Sequence, residues 1–540
     1  MGKKKRVRAA AELDIAKGSG KKFEKKESKA GKVIAVIAGI LAVVVVLGTL
    51  AWFYLPNIIS GSMTAIESDN YEVTSPMLTY FFNSNYQGYV SSYNSYLSYI
   101  GLDVTKSLKD QTTQDGQTWY DFFMNNTTST VEDMLALCEA AKADDKFDAD
   151  DEIEKSVDEA VATMESQAKS NNVNLEYYLK AVYGNGVNEK VLRKCLTLQE
   201  TASRYSQELT GRYEFAEADW DKYYEDNKDT FRKVDYLKYT FSVTATTVAD
   251  DATEEEKEAA SQKDKAEAER LRGVAEGLAA TTGVDGFKGY VENYLRNDKY
   301  KDQDDAALAE QSIDIPALVD GCLSEGNTYS ESDTNKWLFD EARKGYETYT
   351  EEADTSYAVY MILPAEESDI GAECMYRDTY ALKNFRYIPA LKDDFGTVEA
   401  AKTFADSALE EYKKDATEEN FAVLAAEDKY GDGKYEGGLV ENGDKGVLCD
   451  AVDEWLNDSA RKAGDCEIIE DGENGYYIVY FVGNGDLKWQ NTADNGLISA
   501  KYDEELATLK EKYEVSKSLK AIKIVKEVDL SGLAETTASN

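Results

Sequence analysis

The stretch Trp337-Leu338-Phe339-Asp340-Glu341-Ala342-Arg343-Lys344 returns 118 residues later as Trp455-Leu456-Asn457-Asp458-Ser459-Ala460-Arg461-Lys462, identical at six of eight positions. Each copy is followed, past a Gly-containing acidic turn, by a short aromatic and β-branched run: Tyr357 to Ile362 in the first and Tyr476 to Val482 in the second. One supersecondary unit, a helix end and then a strand, is therefore carried twice. Two copies are too few for a solenoid, whose units are stabilised by stacked neighbours, so each repeat is expected to be a self-contained domain of roughly 110 to 140 residues.

Charge divides the chain unevenly. Its 540 residues carry a formal net charge of −42, yet residues 1–32 hold twelve Lys or Arg against four Asp or Glu, which leaves −50 for the remainder. Between the two lies Val33 to Leu55, 23 residues without a charge. At ~1.5 Å per helical residue this run matches the ~30 Å hydrocarbon core of a bilayer. Trp52 and Tyr54 fall where an interfacial aromatic belt belongs, and the basic tail lies on the other side. The positive-inside rule then predicts a single N-terminal transmembrane helix with residues 1–32 cytoplasmic and the acidic bulk outside the cell membrane. A cleaved secretory signal is the rival reading, but it calls for an apolar region of only about 7 to 15 residues and an A-x-A-like site. The sequence Leu55-Pro56-Asn57-Ile58-Ile59-Ser60-Gly61 provides no such site.

The composition also excludes chemistry. There is no His, so Ser-His-Asp and Cys-His nucleophile systems and His metal sites are ruled out. Six Cys lack any C-x-x-C spacing; Cys449 and Cys466 alone are close enough in sequence to suggest a local bridge. Asp148-Ala149-Asp150-Asp151-Glu152 lacks the sixth-position Gly and spaced Glu of a calcium loop. No metal and no cofactor is expected, and an acidic ectodomain without a basic stripe argues against nucleic acid.

From Gly61 to about Thr230 the pattern is helical. Ser75-Pro76 reads as a cap followed by Pro at the first helical position, and Tyr86, Tyr89, Tyr93 and Tyr96 then recur at 3, 4, 3 spacing on one face. Packed core is the plain reading of that stripe; a surface of rigid amphipathic rings that binds unfolded polypeptide is the functional one. Trp119 to Leu137 gives a second helix, a third follows to about Ser170, Asn174 caps a fourth that Gly184 stops, and Asn188 caps another.

This helical block resembles the N-terminal chaperone domain of SurA-type and PrsA-type extracytoplasmic foldases. The residues that carry the likeness are Tyr178-Leu179-Lys180-Ala181-Val182-Tyr183-Gly184-Asn185-Gly186-Val187 and Trp220-Asp221-Lys222-Tyr223-Tyr224-Glu225-Asp226-Asn227. The two repeats then fall where parvulin domains follow in that family. Each opens on a strand, Val234 to Phe241 and Lys383 to Ile388, then runs through a long polar helix, a short apolar helix, the Trp-Leu-x-Asp block and a closing strand. Gly437-Gly438-Leu439 looks like the parvulin Gly-Gly-x-Leu turn.

The resemblance implies an α+β chain: an N-terminal transmembrane helix (33–55), an all-α chaperone domain (61–230), two small parvulin-like domains (231–370 and 371–490), and a C-terminal helix and disordered tail (491–540), part of which packs back onto the helical domain. Parvulin-type prolyl isomerases place a His on the first strand and another on the last. By alignment these positions fall at Tyr239 and Ala358 in the first copy and at Tyr387 and Tyr477 in the second. A Tyr hydroxyl cannot reproduce the two-nitrogen bridging of imidazole. Isomerisation needs only to lower an ~18 to 20 kcal/mol rotational barrier, without covalent chemistry. The expectation is thus a membrane-anchored chaperone for unfolded or nascent secreted proteins, with weak or inactive parvulin-like domains; topology and resemblance together imply a bacterial, Gram-positive envelope. An active isomerase and a structural or adhesion protein of the cell surface are the alternatives.

Overall fold

The computed structural model describes residues 63–530 except 94–95, 250, 367 and 427–435. The chain divides into two units: the first takes its described residues from 63–212 and 503–530, and the second is formed by 213–502.

The first unit is built on helices α1 (Ser75–Ser92), α2 (Trp119–Ala143), α3 (Asp150–Ser170), α4 (Leu175–Tyr183) and α5 (Glu189–Gly211). Local chemistry sets their ends. Asn174 and Asn188 accept the amide protons of Tyr177 and Val191, Thr118 accepts that of Asp121, and Gly184 leaves α4 at φ 103°. The α1 boundary differs by one residue from the sequence reading: Thr74 is the N-cap, and the Ser75 hydroxyl donates to the Ala521 carbonyl at 3.1 Å. Fully buried Phe82, Phe123, Leu135, Leu192 and Cys195 form the centre. Buried Asn83 has its needs met, donating to the carbonyls of Tyr183 and Lys526 and accepting from the Val528 amide at 2.9 Å.

The fold class expected from sequence is corrected here in two respects. Among the described residues no helix is long and apolar enough to cross a membrane, and the span expected at 33–55 lies outside the described residues, as do the basic tail and residues 531–540. The domain expected to be all-α contains a three-stranded antiparallel sheet in which β1 (Thr64–Glu67) lies between β2 (Glu72–Thr74) and a C-terminal strand, Ser516–Lys517. Ile66 stands opposite both Val73 and Lys517, and Ala65, Ile66 and Val73 are fully buried. Strands of two to four residues are too short to show a period of two. The chain is mixed α+β.

The C-terminal residues of this unit are held by more than the strand. Lys510 pairs with Asp133 at 2.5 Å, Lys517 pairs with Glu132, and the Tyr120 hydroxyl donates to the Val525 carbonyl at 2.9 Å.

The second unit contains two four-stranded antiparallel sheets of like topology. The first is ordered β4-β3-β6-β5, with β3 Lys233–Ser242, β4 Leu323–Thr328, β5 Thr348–Ala353 and β6 Ser356–Ile362. The second is ordered β8-β7-β10-β9, with β7 Ala381–Leu391, β8 Leu439–Gly443, β9 Cys466–Glu470 and β10 Gly475–Leu487. In each, the opening and closing strands lie side by side at the centre. One face packs on the long helices: α6 (Glu254–Ala279) and α7 (Gly283–Tyr294) in the first, α9 (Val398–Tyr412) and α10 (Glu418–Ala426) in the second. Thr253 and Glu256 close a capping box at the start of α6.

The opposite faces carry the repeated block. Trp337 lies near the end of α8 (Asp333–Leu338) and Trp455 near the end of α11 (Asp450–Leu456). The residues after each Trp form the same turn: the Asp340 and Asp458 carboxylates accept the amides of Ala342 and Ala460 at 2.9 Å, and the Arg343 and Arg461 amides donate to the Asp340 and Asp458 carbonyls. That turn folds the Arg over the indole, 5.2 Å from the Trp337 ring and 3.7 Å from the Trp455 ring. An Asp–Arg ion pair at i, i+3 forms in the first copy, Arg343 to Asp340 at 2.8 Å. In the second, Arg461 turns to Asp465 at 3.5 Å and donates to the Trp455 carbonyl at 3.0 Å, while Asp458 serves the turn.

Candidate functional site

The four strand positions singled out from sequence behave differently in the two sheets. In the second sheet Tyr387 stands opposite Val479, and Pro389 opposite Tyr477. Tyr387 and Tyr477 therefore share a face, with ring centres 6.2 Å apart at 65°. Their neighbours are Phe385, Val440, Val452 and Trp455, the last two on α11, which covers this face. Burial pushes the Tyr477 hydroxyl above its ordinary pKa, and Asp471 and Cys449 add to the shift.

In the first sheet Tyr239 stands opposite Val359, and Thr240 opposite Ala358. Successive strand residues point to opposite faces, so Tyr239 and Ala358 are not brought together. Tyr239 packs toward α7 with Phe241 and Tyr294 at 4.9 and 6.0 Å, and burial raises its hydroxyl pKa. Ala358 lies on the other face with Leu338 and Tyr360. When the closing strands are aligned with Tyr357 on Tyr476, both of which face the long helices, the pair Tyr236–Ile362 matches Phe385–Phe481. Lys238 then takes the place of Tyr387, and Ala358 that of Tyr477. The Lys238 ammonium sits 5.0 Å over the Tyr360 ring.

No acid–base pair results on either face. The first offers a cation on an aromatic ring, the second two phenols among apolar side chains. The six thiols are free; Cys466 packs with the α9 and α10 core and Cys449 on the opposite face of the same sheet, so the local bridge weighed from sequence does not form.

Sequence reasoning missed two concave regions. A cavity of about 700 Å³ in the second unit is lined by Asp235, Leu237, Tyr346, Leu363 and Tyr376 among others, and none of the four strand positions borders it. Asp235 accepts the Tyr376 hydroxyl at 2.9 Å and the Gly326 amide at 2.7 Å, which holds its rim in place. In the first unit a groove of about 830 Å³ runs over Tyr71, Met77 and Leu198 beside Lys190, Arg193 and Lys194. Neither left a linear signal, because their walls come from segments far apart in the chain.

The tyrosine stripe of the first unit is a ladder from core to solvent. Tyr86 is 1% exposed, Tyr93 46%, Tyr96 63% and, one step further, Tyr99 83%. Helix α1 ends at Ser92, and the chain continues in tight turns in which the Tyr96 amide donates to the Tyr93 carbonyl and the Tyr99 amide to the Tyr96 carbonyl. Half-buried Tyr89 anchors the row, 4.6 Å from the Tyr93 ring and 5.8 Å from both Trp119 and Phe122. Burial and the neighbouring Tyr93 raise its hydroxyl pKa; at Tyr86 burial pushes it up to about 12, with Glu527 contributing. Sequence reasoning chose Tyr86 as a contact residue, but the structure places it in the core, and Tyr99 extends the exposed end instead.

No family model matches this chain, and no curated protein matches it. Among solved structures it is similar to the foldase protein PrsA from Lactococcus lactis, at 11% identity, over 67% of this chain and 92% of that one, with a TM-score of 0.17. A likeness of that grade carries no argument, and the class defined by the fold is a mixed α+β chain of two units with a duplicated four-stranded sheet.

Proposed function

We propose that the chain is an extracytoplasmic folding chaperone that holds unfolded or nascent secreted polypeptides, and that its two sheet domains serve as scaffold. The observation that carries this reading is the exposed ladder Tyr93, Tyr96, Tyr99, rooted through Tyr89 in the core of the first unit. Apolar side chains scattered singly are ordinary on a surface, whereas three exposed aromatic side chains within seven residues of chain mark an interaction site. Tyr rings offer large contact area at low conformational cost and suit weak binding of many sequences. Placement outside the cytoplasm is supported by the basic tail and the uncharged run that precede the acidic bulk. Reversible holding calls for neither cofactor nor metal.

An isomerase reading has one observation in its favour, the meeting of Tyr387 and Tyr477 on one face. Val452, fully buried, and Trp455 occupy that same face, which leaves a proline ring nowhere to enter. The deciding experiment pairs two assays on the purified chain. Aggregation of a chemically unfolded client should be delayed, and Tyr93→Ser, Tyr96→Ser and Tyr99→Ser together should abolish most of the delay. A proline-peptide assay should show no acceleration. Absence of any delay sinks the chaperone reading; acceleration that Tyr387→Ala removes would establish the isomerase.

A further inference from the structure

We infer that the tyrosine ladder selects positively charged unfolded segments, its ring faces receiving Lys and Arg side chains of the bound polypeptide; this rests on the chaperone reading above and names the client chemistry.

From Val73 to Leu102 the chain has no charged residue, thirty positions in a sequence that is 30% charged. The surface row is thus purely aromatic and polar. Several other rings carry one of the chain's own cations: Lys109 lies 4.1 Å over Tyr120, Lys501 4.3 Å over Tyr213, and Arg461 3.7 Å over Trp455. Among the described residues no Lys or Arg lies over Tyr93, Tyr96 or Tyr99. Lys106, on the loop that follows, is tied to Asp103 at 2.9 Å. The outer ring faces are therefore open to a cation from another chain.

The charge around them has the matching sign. Beyond residue 32 the net charge is −50, and the segment next to the ladder carries exposed Asp110, Asp115 and Asp121. This segment is held against the ladder's end by the Trp119 indole, which donates to the Gly101 carbonyl at 3.2 Å. The face of an aromatic ring is electrostatically negative and attracts an ammonium or guanidinium. A surrounding negative field raises the local concentration of cationic segments and repels acidic ones. Two or three ring contacts together correspond to a preference of roughly tenfold for a cationic segment over a neutral one.

The test uses the whole purified chain and three labelled unfolded peptides of equal length and equal aromatic content, one rich in Lys and Arg, one neutral, one acidic, with binding read by fluorescence anisotropy. The cationic peptide should bind about tenfold tighter than the neutral one, and added salt should narrow the gap by screening the field. Replacing Tyr93, Tyr96 and Tyr99 together by Phe keeps the rings and should keep the preference. Replacing all three by Leu keeps apolar area but removes the ring faces, so neutral-peptide binding should persist while the preference falls to near unity. All three positions are exposed, so neither variant threatens the fold. Equal binding of cationic and neutral peptides, or a preference that survives in the Leu variant, overturns this inference alone if aggregation is still delayed. A chain that neither binds peptide nor delays aggregation overturns the chaperone reading on which it rests.

Discussion

The two sheets of the second unit share strand order and a Trp–Arg clasp, yet the faces beneath that clasp differ. In the second sheet the face is closed and apolar: Val452 and Val479 are fully buried, Trp455 is nearly so, and its indole donates to Glu467 at 2.7 Å. In the first the corresponding Trp337 is only half-buried, stacked on Tyr349 at 5.4 Å and 25°, and the strand beneath carries exposed Lys238. Duplication preserved what shapes the turn after the helix, an Asp to accept an amide and an Arg to lie on the indole. It left the strand residues free to diverge. A scaffold needs its turn and its packing, whereas a shared catalytic site would hold the face residues as well.

The largest expected difference between the sheets is at the Trp. Trp455→Ala removes a nearly buried indole and leaves Arg461 and Glu467 without their partner, which should cost about 3 to 5 kcal/mol. Trp337→Ala should cost about half as much or less, since its ring is already partly wet. Chemical unfolding of the two variants compares them directly. Equal losses would mean that the faces are energetically alike and that the contrast drawn here is wrong.

Next comes a glycine. Gly438 adopts φ +69°, and a Cβ there would sit 2.3 Å from the Tyr387 carbonyl oxygen and 3.1 Å from the Ala425 side chain. Gly438→Ala should therefore force β7 and α10 apart and lose about 2 to 3 kcal/mol, from backbone strain and overpacking together. The loss should fall on the second sheet alone, measurable as faster amide exchange in β7 and β10 with β3 and β6 unchanged. Uniform loosening of both sheets would show that they unfold as one cooperative body.

Much of this architecture could be read from the chain. Caps at Asn174 and Asn188 marked helix starts because a short polar side chain bonding an amide two or three residues on is a local event. The two central strands of each sheet were legible from their aromatic and β-branched runs. The short strands β1 and β2 were not: each is too short to show a period of two, and β1 takes one of its two partners, Ser516 and Lys517, from distant sequence. The face assignment in β3 was lost for a different reason. Val234 and Tyr236 pack on one face and Leu237, Tyr239 and Phe241 on the other, so this central strand is apolar in both alternations and its pattern names neither face. A slip of one residue then exchanges the faces, and Tyr239 was aligned where Lys238 stands. The tyrosine ladder was visible as a spacing, but its outward course depends on α1 ending at Ser92 and on tight turns beyond, which spacing does not specify.

The smallest predicted effect isolates a charged contact found on the first face and not on the second. Lys238 lies over the buried Tyr360 ring, and the Tyr360 hydroxyl donates to Glu351 at 3.1 Å. Contact with Tyr360 raises the Lys238 pKa against the opposing effect of burial, and Glu351 adds to the rise. A group whose folded pKa exceeds its unfolded value stabilises the fold below the unfolded pKa, about 10.4 for Lys, and loses that contribution as pH climbs through the folded pKa. Burial likewise raises the Tyr360 pKa, so its ionisation opposes folding in the same alkaline range. Lys238→Met keeps the apolar stem and removes the charge, which should cost about 0.5 kcal/mol near neutral pH, the value of a cation over a ring at an exposed site. The gap between the two proteins should hold steady up to about pH 9.5 and close progressively above about 10.4, as the lysine of the parent chain loses its proton. A gap that persists unchanged to the most alkaline pH at which both proteins remain folded would assign the stabilisation to the methylene stem, and the two sheet faces would then differ in shape but not in charge.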